Sequence, residues 1–244
     1  MCSFEEFSRI FHTVMVLNDL SEFCTEDNIR RFYQLTDHML TINESMNLTA
    51  IKDVAEIILL HYADSLQAAK FLPKNARIAD IGCGAGFPCL PLAICRPDLS
   101  ILALDSTEKR IRYVDETAKL LGCDGIEAVA MRAEDGGKGG FREQFDVCTA
   151  RAVAALPALT ELCLPFVRVD GTFLAMKGKR GEEELEAAKG AIGKLGGRLV
   201  SNHTLTLHRE NGEDEARALI EIKKVSSTPS AYPRAWGKIL KKPL

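Results

Sequence analysis

Residues 78–94 read IADIGCGAGFPCLPLAI, an apolar run with an acid near its end, a glycine-rich turn and a second apolar run. A strand, a glycine turn and a helix open the βα units of nucleotide-binding sheets, whose ligands lie beyond the carboxyl ends of the strands. The dinucleotide motif G-x-G-x-x-G has its third glycine where this chain has Phe87, and Pro88 removes one backbone N–H from the helix start. The turn therefore suits a pyrophosphate poorly, although Gly82 and Gly84 still allow a ligand close to the backbone.

The chain around this turn has three parts. Residues 1–75 carry apolar residues at helical spacing with one polar break, TINESMNLTAIKD, and predict a small helical region. Residues 76–225 alternate strands with helices, which predicts an α/β fold with a mostly parallel sheet. The basic stretch 226–244 is either a solvated tail or an edge that faces nucleic acid, packed on or near the sheet domain.

Seven segments of the second part are typical of strands, and the last two predict an antiparallel pair that finishes the sheet. They are RIADI, SILALD, IEAVA, FDVCTA, GTFLAMKG, RLVSNHTLTLH and EARALIEIKK.

Composition excludes several classes of protein. A formal charge of −3 argues against coating nucleic acid by bulk electrostatics, so any such contact must be local. The eight cysteines form no C-x-x-C pair, which favours a reducing, cytoplasmic compartment and gives no metal-binding pattern. No apolar run reaches the ~20 residues that cross a bilayer, so we expect a soluble protein without a membrane segment. We also expect a monomer.

Acids near the glycine turn indicate the ligand. Asp105 ends the second predicted strand, where a carboxylate accepts hydrogen bonds from both ribose hydroxyls. Glu134 follows the third strand and is either an adenine contact or a helix cap. Asp80 at the first strand tip would favour a cationic ligand. These features favour S-adenosylmethionine, with a nicotinamide-dependent oxidoreductase as the alternative.

Eight ordered segments carry a resemblance to a known family. They are MNLTAI, HYADSL, DIGCGAGFP, LDSTEKR, RAED, FDVCTARAVAAL, MKG and YPR with KKPL, and they run from about residue 40 to the C-terminus. Together they resemble the RsmG family, also called GidB, whose members have a Rossmann-like class I methyltransferase fold. The resemblance implies methyl transfer from S-adenosylmethionine to N7 of one guanosine in 16S rRNA, with the 30S ribosomal subunit as partner. Cys83 and Cys89 stand where the family usually has threonine and glycine.

The residues and the resemblance together give two sets of site residues. The expected donor contacts are Asp80, Gly82, Gly84, Phe87, Asp105, Ser106, Thr107, Ala133, Glu134 and Arg151. The residues expected to position the guanine or to face RNA are Asn47, Arg132, Arg151, Lys177 and Arg234.

The expected chemistry needs no general base. Guanine N7 carries a free lone pair, so catalysis reduces to positioning by Arg151, Arg132 and Lys177. His61 and Asp64 are interpreted as a structural pair that joins the helical region to the sheet. The alternatives are a methyltransferase acting on another RNA or a small molecule, and a non-catalytic module that binds RNA or the ribosome.

Overall fold

The computed structural model describes residues 2–244 and is organised around one seven-stranded sheet. The strands are β1 (Arg77–Ile81), β2 (Ser100–Asp105), β3 (Ile126–Ala130), β4 (Phe145–Arg151), β5 (Val167–Gly178), β6 (Gly197–Leu207) and β7 (Glu215–Lys224). Their order is β3-β2-β1-β4-β5-β7-β6, and β7 runs antiparallel to both of its neighbours. This confirms the predicted α/β fold and adds that the last strand of the chain lies inside the sheet.

Helices precede the sheet and connect its strands. They are α1 (Phe4–Leu17), α2 (Glu26–Met46), α3 (Val54–Ile57), α4 (Asp64–Leu66), α5 (Cys89–Cys95), α6 (Glu108–Leu120), α7 (Ala133–Gly136), α8 (Leu156–Cys163), α9 (Gly181–Lys194) and α10 (Trp236–Lys241). A π-helical segment, Ile58–Ala63, joins α3 to α4. No helix within residues 2–244 is both long and apolar enough to cross a membrane.

Each face of the sheet is covered by a hydrophobic cluster. Successive strand residues point to opposite faces, so Ile78 packs with α5 and α6 while Ala79 packs with α8 and α9. The N-terminal helices contribute Phe7, Phe32 and Tyr62 to the first cluster. The helical region therefore shares one core with the sheet and is fixed relative to its strands.

Local sequence explains where the N-terminal helices begin and end. Ser3 and Thr25 cap α1 and α2, because each hydroxyl accepts a hydrogen bond from the backbone N–H three residues later. The apolar stripe of α1 falls at intervals of four residues: Phe7, Phe11 and Met15. α2 continues through Met46, so half of the predicted polar break is helical. The Asn43 amide closes the turn that follows by bonding both backbone groups of Thr49.

Residues 226–244, here called the C-terminal segment, pack against the sheet domain. Lys224 at the end of β7 is fully buried, and its Nζ donates to the Leu164 carbonyl and to the Thr228 hydroxyl. Arg142 donates to the backbone carbonyls of Thr228 and Tyr232. The segment ends in α10, where Ile239 is buried in the second cluster. The interpretation as a solvated tail is therefore wrong, because buried hydrogen bonds hold this segment.

Candidate functional site

The glycine turn after β1 has the backbone that its sequence requires. Gly82, Gly84 and Gly86 have φ angles of +72°, +56° and +89°, a region that other residues rarely adopt. A Cβ on Gly82 would lie 2.5 Å from a methyl carbon of Val153, so side chains pack against that position. A Cβ on Gly84 would meet nothing nearer than a backbone oxygen at 3.9 Å. Gly84 is thus the point where a ligand has room to approach the turn.

Two residues expected to contact the donor, Asp80 and Phe87, are buried and contact other residues of the protein. The Asp80 carboxylate is buried and accepts hydrogen bonds from the Cys89 N–H at 3.0 Å and the Thr149 hydroxyl at 3.3 Å. Burial raises the pKa of Asp80 to about 7, although these hydrogen bonds oppose the rise. Phe87 is also buried and stacks on His61 with 4.6 Å between ring centroids. Both residues therefore make their contacts within the protein, and their assignment as donor contacts stays a prediction.

A cavity of about 160 Å³ lies at the tips of the first strands, and we call it the strand-tip cavity. It is lined by Ile81, Gly82, Leu104, Asp105, Ser106, Met131, Arg132, Ala133, Glu134, Val153, Leu162 and Trp236. The Asp105 carboxylate accepts hydrogen bonds from Gly84 N–H at 3.1 Å and Thr107 N–H at 2.8 Å. It thereby ties the glycine turn to the start of α6 at the cavity edge.

Arg132 and Glu134 form an ion pair in the lining of this cavity. The Arg132 guanidinium donates to the Ser106 hydroxyl at 3.2 Å and lies 3.6 Å from the Glu134 carboxylate. Glu134 also accepts a hydrogen bond of 3.3 Å from the backbone N–H of Trp236. The Glu134 carboxylate thus bonds the start of α10 and also lines the cavity. Its role as an adenine contact stays a prediction.

A second cavity of about 530 Å³, the cationic cavity, adjoins the first. Its lining is Ile51, Leu60, His61, Asp64, Arg151, Ala152, Met176, Lys177, Gly178, Lys179, Arg180, Glu184 and Arg217. Five cationic side chains against two carboxylates give it a positive potential suited to phosphate groups. Arg151 and Ala152 line this cavity while Val153 lines the strand-tip cavity, so the chain after β4 forms the partition between them.

Asp64 organises the arginines of the cationic cavity. Its carboxylate accepts hydrogen bonds from Arg151 at 2.8 Å and from Arg217 at 3.1 Å. Arg151 also donates to the Leu60 carbonyl at 2.9 Å. Asp64 thus joins the helical region to the sheet as expected, but through these arginines and not as a pair with His61, which bonds the Thr49 hydroxyl at 2.9 Å.

His61 is unsuited to proton transfer in this position. Burial, and then the charge of Arg151, lower its pKa to about 4. Its imidazole is therefore neutral at neutral pH, and the nearby ring of Phe87 limits its movement.

Lys177 lines the cationic cavity, but its side chain is buried and its amino group is paired within the protein. Its Nζ donates to the Ala154 carbonyl at 2.8 Å and pairs with Glu184 at 2.7 Å. Glu184 in turn accepts a hydrogen bond from the Leu156 N–H. Lys177 thus holds the loop that follows Arg151, and the two cations after it, Lys179 and Arg180, are the exposed ones.

The remaining expected RNA contacts lie apart. Asn47 is exposed at the end of α2 with a φ of +51°, outside the lining of both cavities. Arg234 forms a bidentate pair with the fully buried Glu161, with contacts of 2.6 and 2.9 Å. Its guanidinium thus anchors the C-terminal segment to α8, and its assignment to RNA stays a prediction.

Sequence reasoning missed three kinds of lining residue. Arg217 lies in β7, where an isolated arginine gives no signal, and only the sheet order brings it to Asp64. Trp236 reaches the strand-tip cavity from the C-terminal segment. The run MKGKRG does signal Lys179 and Arg180, since two further cations follow the expected Lys177.

Comparison with known proteins identifies the chain's relatives. A family model described as rRNA small subunit methyltransferase G (GidB) matches residues 28–211. Proteins named ribosomal RNA small subunit methyltransferase G are similar in sequence. The one from Lactobacillus delbrueckii subsp. bulgaricus is 43% identical over 88% of this chain and 91% of its own length. That from Halalkalibacterium halodurans is 47% identical over 83% and 85% respectively.

Solved structures agree in fold. The TYW2 protein of M. jannaschii, solved in complex with AdoMet, has a TM-score of 0.54 at 14% identity over 66% of this chain and 75% of its own. A SAM-dependent methyltransferase from Aquifex aeolicus has a TM-score of 0.51 at 16% identity over 69% and 93%. These likenesses show the class I methyltransferase fold. With the sequence relatives and the family model, they establish that this chain belongs to the GidB family of rRNA small subunit methyltransferases.

Proposed function

We propose that this protein transfers a methyl group from S-adenosylmethionine to N7 of one guanosine in 16S rRNA of the 30S subunit. The observation that carries the proposal is the pair of adjoining cavities at one edge of the sheet. One is lined by strand-tip acids and the other by cations, and only the chain after β4 separates them. A cationic methyl donor and an anionic RNA can thus lie side by side in a chain of this family.

The residues of the strand-tip cavity fit an adenosine-containing donor. Asp105 faces the cavity with a carboxylate whose N–H partners fix its orientation, and its remaining lone pairs can accept ribose hydroxyls. Gly84 leaves space beside it. Ala133 and Glu134 also line this cavity and would contact the edge of the adenine. Ser106 and Thr107 complete the donor residues at the tip of β2.

S-adenosylmethionine supplies the methyl group when bound, and the chain's own task is to position the guanine. Arg151 lines the cationic cavity in a fixed orientation, held by Asp64 and by a backbone carbonyl. Its guanidinium can donate to guanine O6 or to a phosphate and leave N7 free. Lys177 positions the loop after Arg151, while Arg132 and Asn47 are the more exposed RNA contacts.

The absence of a base is part of this mechanism. N7 of guanine carries no proton, so the reaction releases none from the base. His61, with a pKa near 4 and a hydrogen bond to Thr49, fits a packing role. Rate enhancement then arises from orientation in a cleft shielded from water.

The test is methyl transfer to mapped RNA. The full-length protein is incubated with labelled S-adenosylmethionine and 30S subunits that lack the modification, and the methylated position is mapped. We expect label at N7 of a single guanosine, with none on subunits that are already modified. Label on another atom or RNA, or no label while the donor binds, would overturn the proposal.

The same assay resolves the form of the substrate. The chain is net acidic, so we propose weak binding to free RNA and recognition of a shape organised in the subunit. Parallel reactions with naked 16S rRNA and with 30S subunits compare the two. Faster methylation of the naked RNA would contradict the proposed substrate form.

We also propose that the protein acts in the cytoplasm as a monomer. Sedimentation analysis of the purified protein tests the oligomeric state.

A further inference from the structure

One wall of the strand-tip cavity comes from outside the βα units. Trp236, the first residue of α10, lines the cavity together with strand-tip residues such as Asp105. It is the single tryptophan of the chain. It is partly exposed and packs against the second hydrophobic cluster.

The C-terminal segment is anchored to the same helix that lines the cavity. Both the guanidinium and the backbone N–H of Arg234 bond to Glu161 on α8, and Glu161 is fully buried. The next residue of α8, Leu162, lines the cavity. Because a bidentate arginine–carboxylate pair fixes geometry as well as distance, this contact fixes the chain two residues before Trp236 against α8.

A second anchor joins the segment to Glu134 in the lining of the cavity. The backbone N–H of Trp236 donates to Glu134, the acid that the proposed function places at the adenine. Arg142 holds the Tyr232 carbonyl and the carbonyl of Gly137, which follows α7. Trp236 therefore lies next to Glu134, the residue where the proposed function places the adenine.

We propose that the C-terminal segment completes the methyl-donor site, with the indole of Trp236 packing on the adenine of the donor. This inference rests on the proposed function and deepens its donor site. Every base has a π face, and an indole supplies a large apolar partner for it. Docking of the segment and binding of the donor then stabilise one another, because binding coupling is reciprocal.

The first experiment uses the protein without substitution. Emission from its single tryptophan is followed while S-adenosylhomocysteine, the product of the donor, is added, and calorimetry measures the same binding. We expect a saturable change in emission with the dissociation constant that calorimetry gives. Binding by calorimetry with unchanged emission would overturn the inference. No binding by calorimetry would instead count against the proposed function.

Variants then test the contact itself. Trp236→Ala should weaken donor binding about tenfold or more, and Trp236→Phe, which keeps an aromatic face, only about threefold. Leu240→Ala on the same helix is the matched control, since Leu240 is exposed and lies outside the cavity lining. The loss should fall on the KM for the donor more than on kcat.

Thermal unfolding without donor separates this role from a structural one. If Trp236→Ala unfolds like the parent protein and binds the donor equally well, the inference fails. If that variant is less stable, Trp236→Phe and the emission titration of the parent protein still decide it.

Discussion

The strand-tip cavity and the cationic cavity adjoin, yet they are assembled from different parts of the chain. Most of the first comes from residues 81–134, at the ends of consecutive parallel strands. The second combines the N-terminal helical region with β4, β5 and β7, and its central contact joins Asp64 to Arg217, 153 residues away. A parallel sheet gathers strand tips automatically, whereas the second cavity requires the helices to pack in one particular place.

The two cavities also differ in charge. Asp105 and Glu134 line the first against a single arginine, while cations outnumber carboxylates in the second. Each would disfavour the ligand proposed for the other, since opposite charges attract most strongly in partly buried sites. Substitutions in one cavity should therefore change the binding of one ligand and spare the other.

The largest expected effect is in the cationic cavity. Arg151→Ala should reduce methylation of 30S subunits by at least about a hundredfold, because the group that orients the guanine is lost. Arg151 is also an expected donor contact, but it lines the cationic cavity and not the strand-tip cavity, so donor affinity by calorimetry should change by less than about threefold. The fold should persist, since Asp64 keeps its bond to Arg217. Near-normal methylation would reject this assignment, and exposed Arg112→Ala serves as control.

The matching substitution in the strand-tip cavity is Asp105→Asn. We expect donor affinity to fall about tenfold, because the amide lacks the charge and can accept from only one of the two N–H groups that Asp105 now binds. Turnover at saturating donor should fall less. Asp115→Asn, on the exposed face of α6, is the control. An unchanged dissociation constant by calorimetry would count against the donor site.

Asp64→Asn tests whether the arginine arrangement depends on its shared carboxylate. Breaking a buried ion pair costs about 3 kcal/mol, so we expect a comparable fall in the free energy of unfolding. Turnover should drop about tenfold as Arg151 and Arg217 lose their common partner. Chemical denaturation measures the fall in the free energy of unfolding. Donor calorimetry measures whether the strand-tip cavity still binds the donor. A tenfold loss of donor affinity would mean that the cavities are not independent.

At the rim of the cationic cavity the effect should be smaller. Lys179→Ala should raise the KM for 30S subunits a few-fold without changing kcat, because an exposed cation contributes mainly phosphate attraction. The effect should shrink as salt increases. Lys189→Ala, on the exposed face of α9, is the control. An effect of equal size at all salt concentrations would indicate a specific contact instead.

The smallest effect on ligand binding is expected at Asp80, which is buried and lines neither cavity. Asp80→Asn should change donor affinity less than about twofold. Its folded pKa, near 7, lies above its ordinary value of 3.8. The protonated carboxyl therefore stabilises the fold fully below pH ~4, and this contribution is lost as pH rises to ~7.

Denaturation curves between pH 4 and 8 test this linkage. Across that window the free energy of unfolding of the parent protein should fall relative to that of Asp80→Asn. Above the window the difference between the two proteins should stay constant. A parallel pH dependence for the two proteins would show that Asp80 does not titrate in this way.

The sequence by itself determined the sheet and the strand-tip cavity. Strand and helix periodicity are local, so RIADI, SILALD and EARALIEIKK predicted β1, β2 and β7 with correct bounds. The tips of parallel strands meet at one edge, which is why Gly82, Asp105 and Glu134 were correctly expected to lie together.

Only the tertiary structure decided which polar groups face a cavity and which are used inside the protein. Asp80 and Arg234 carry charges that a binding site could use. In the folded protein, however, Asp80 accepts hydrogen bonds from α5 and β4, and Arg234 pairs with the buried Glu161. Arg217 and Trp236 enter the cavities through contacts with residues far away in the chain. Burial and long-range pairing depend on how whole elements pack, and no local pattern of residues encodes that packing.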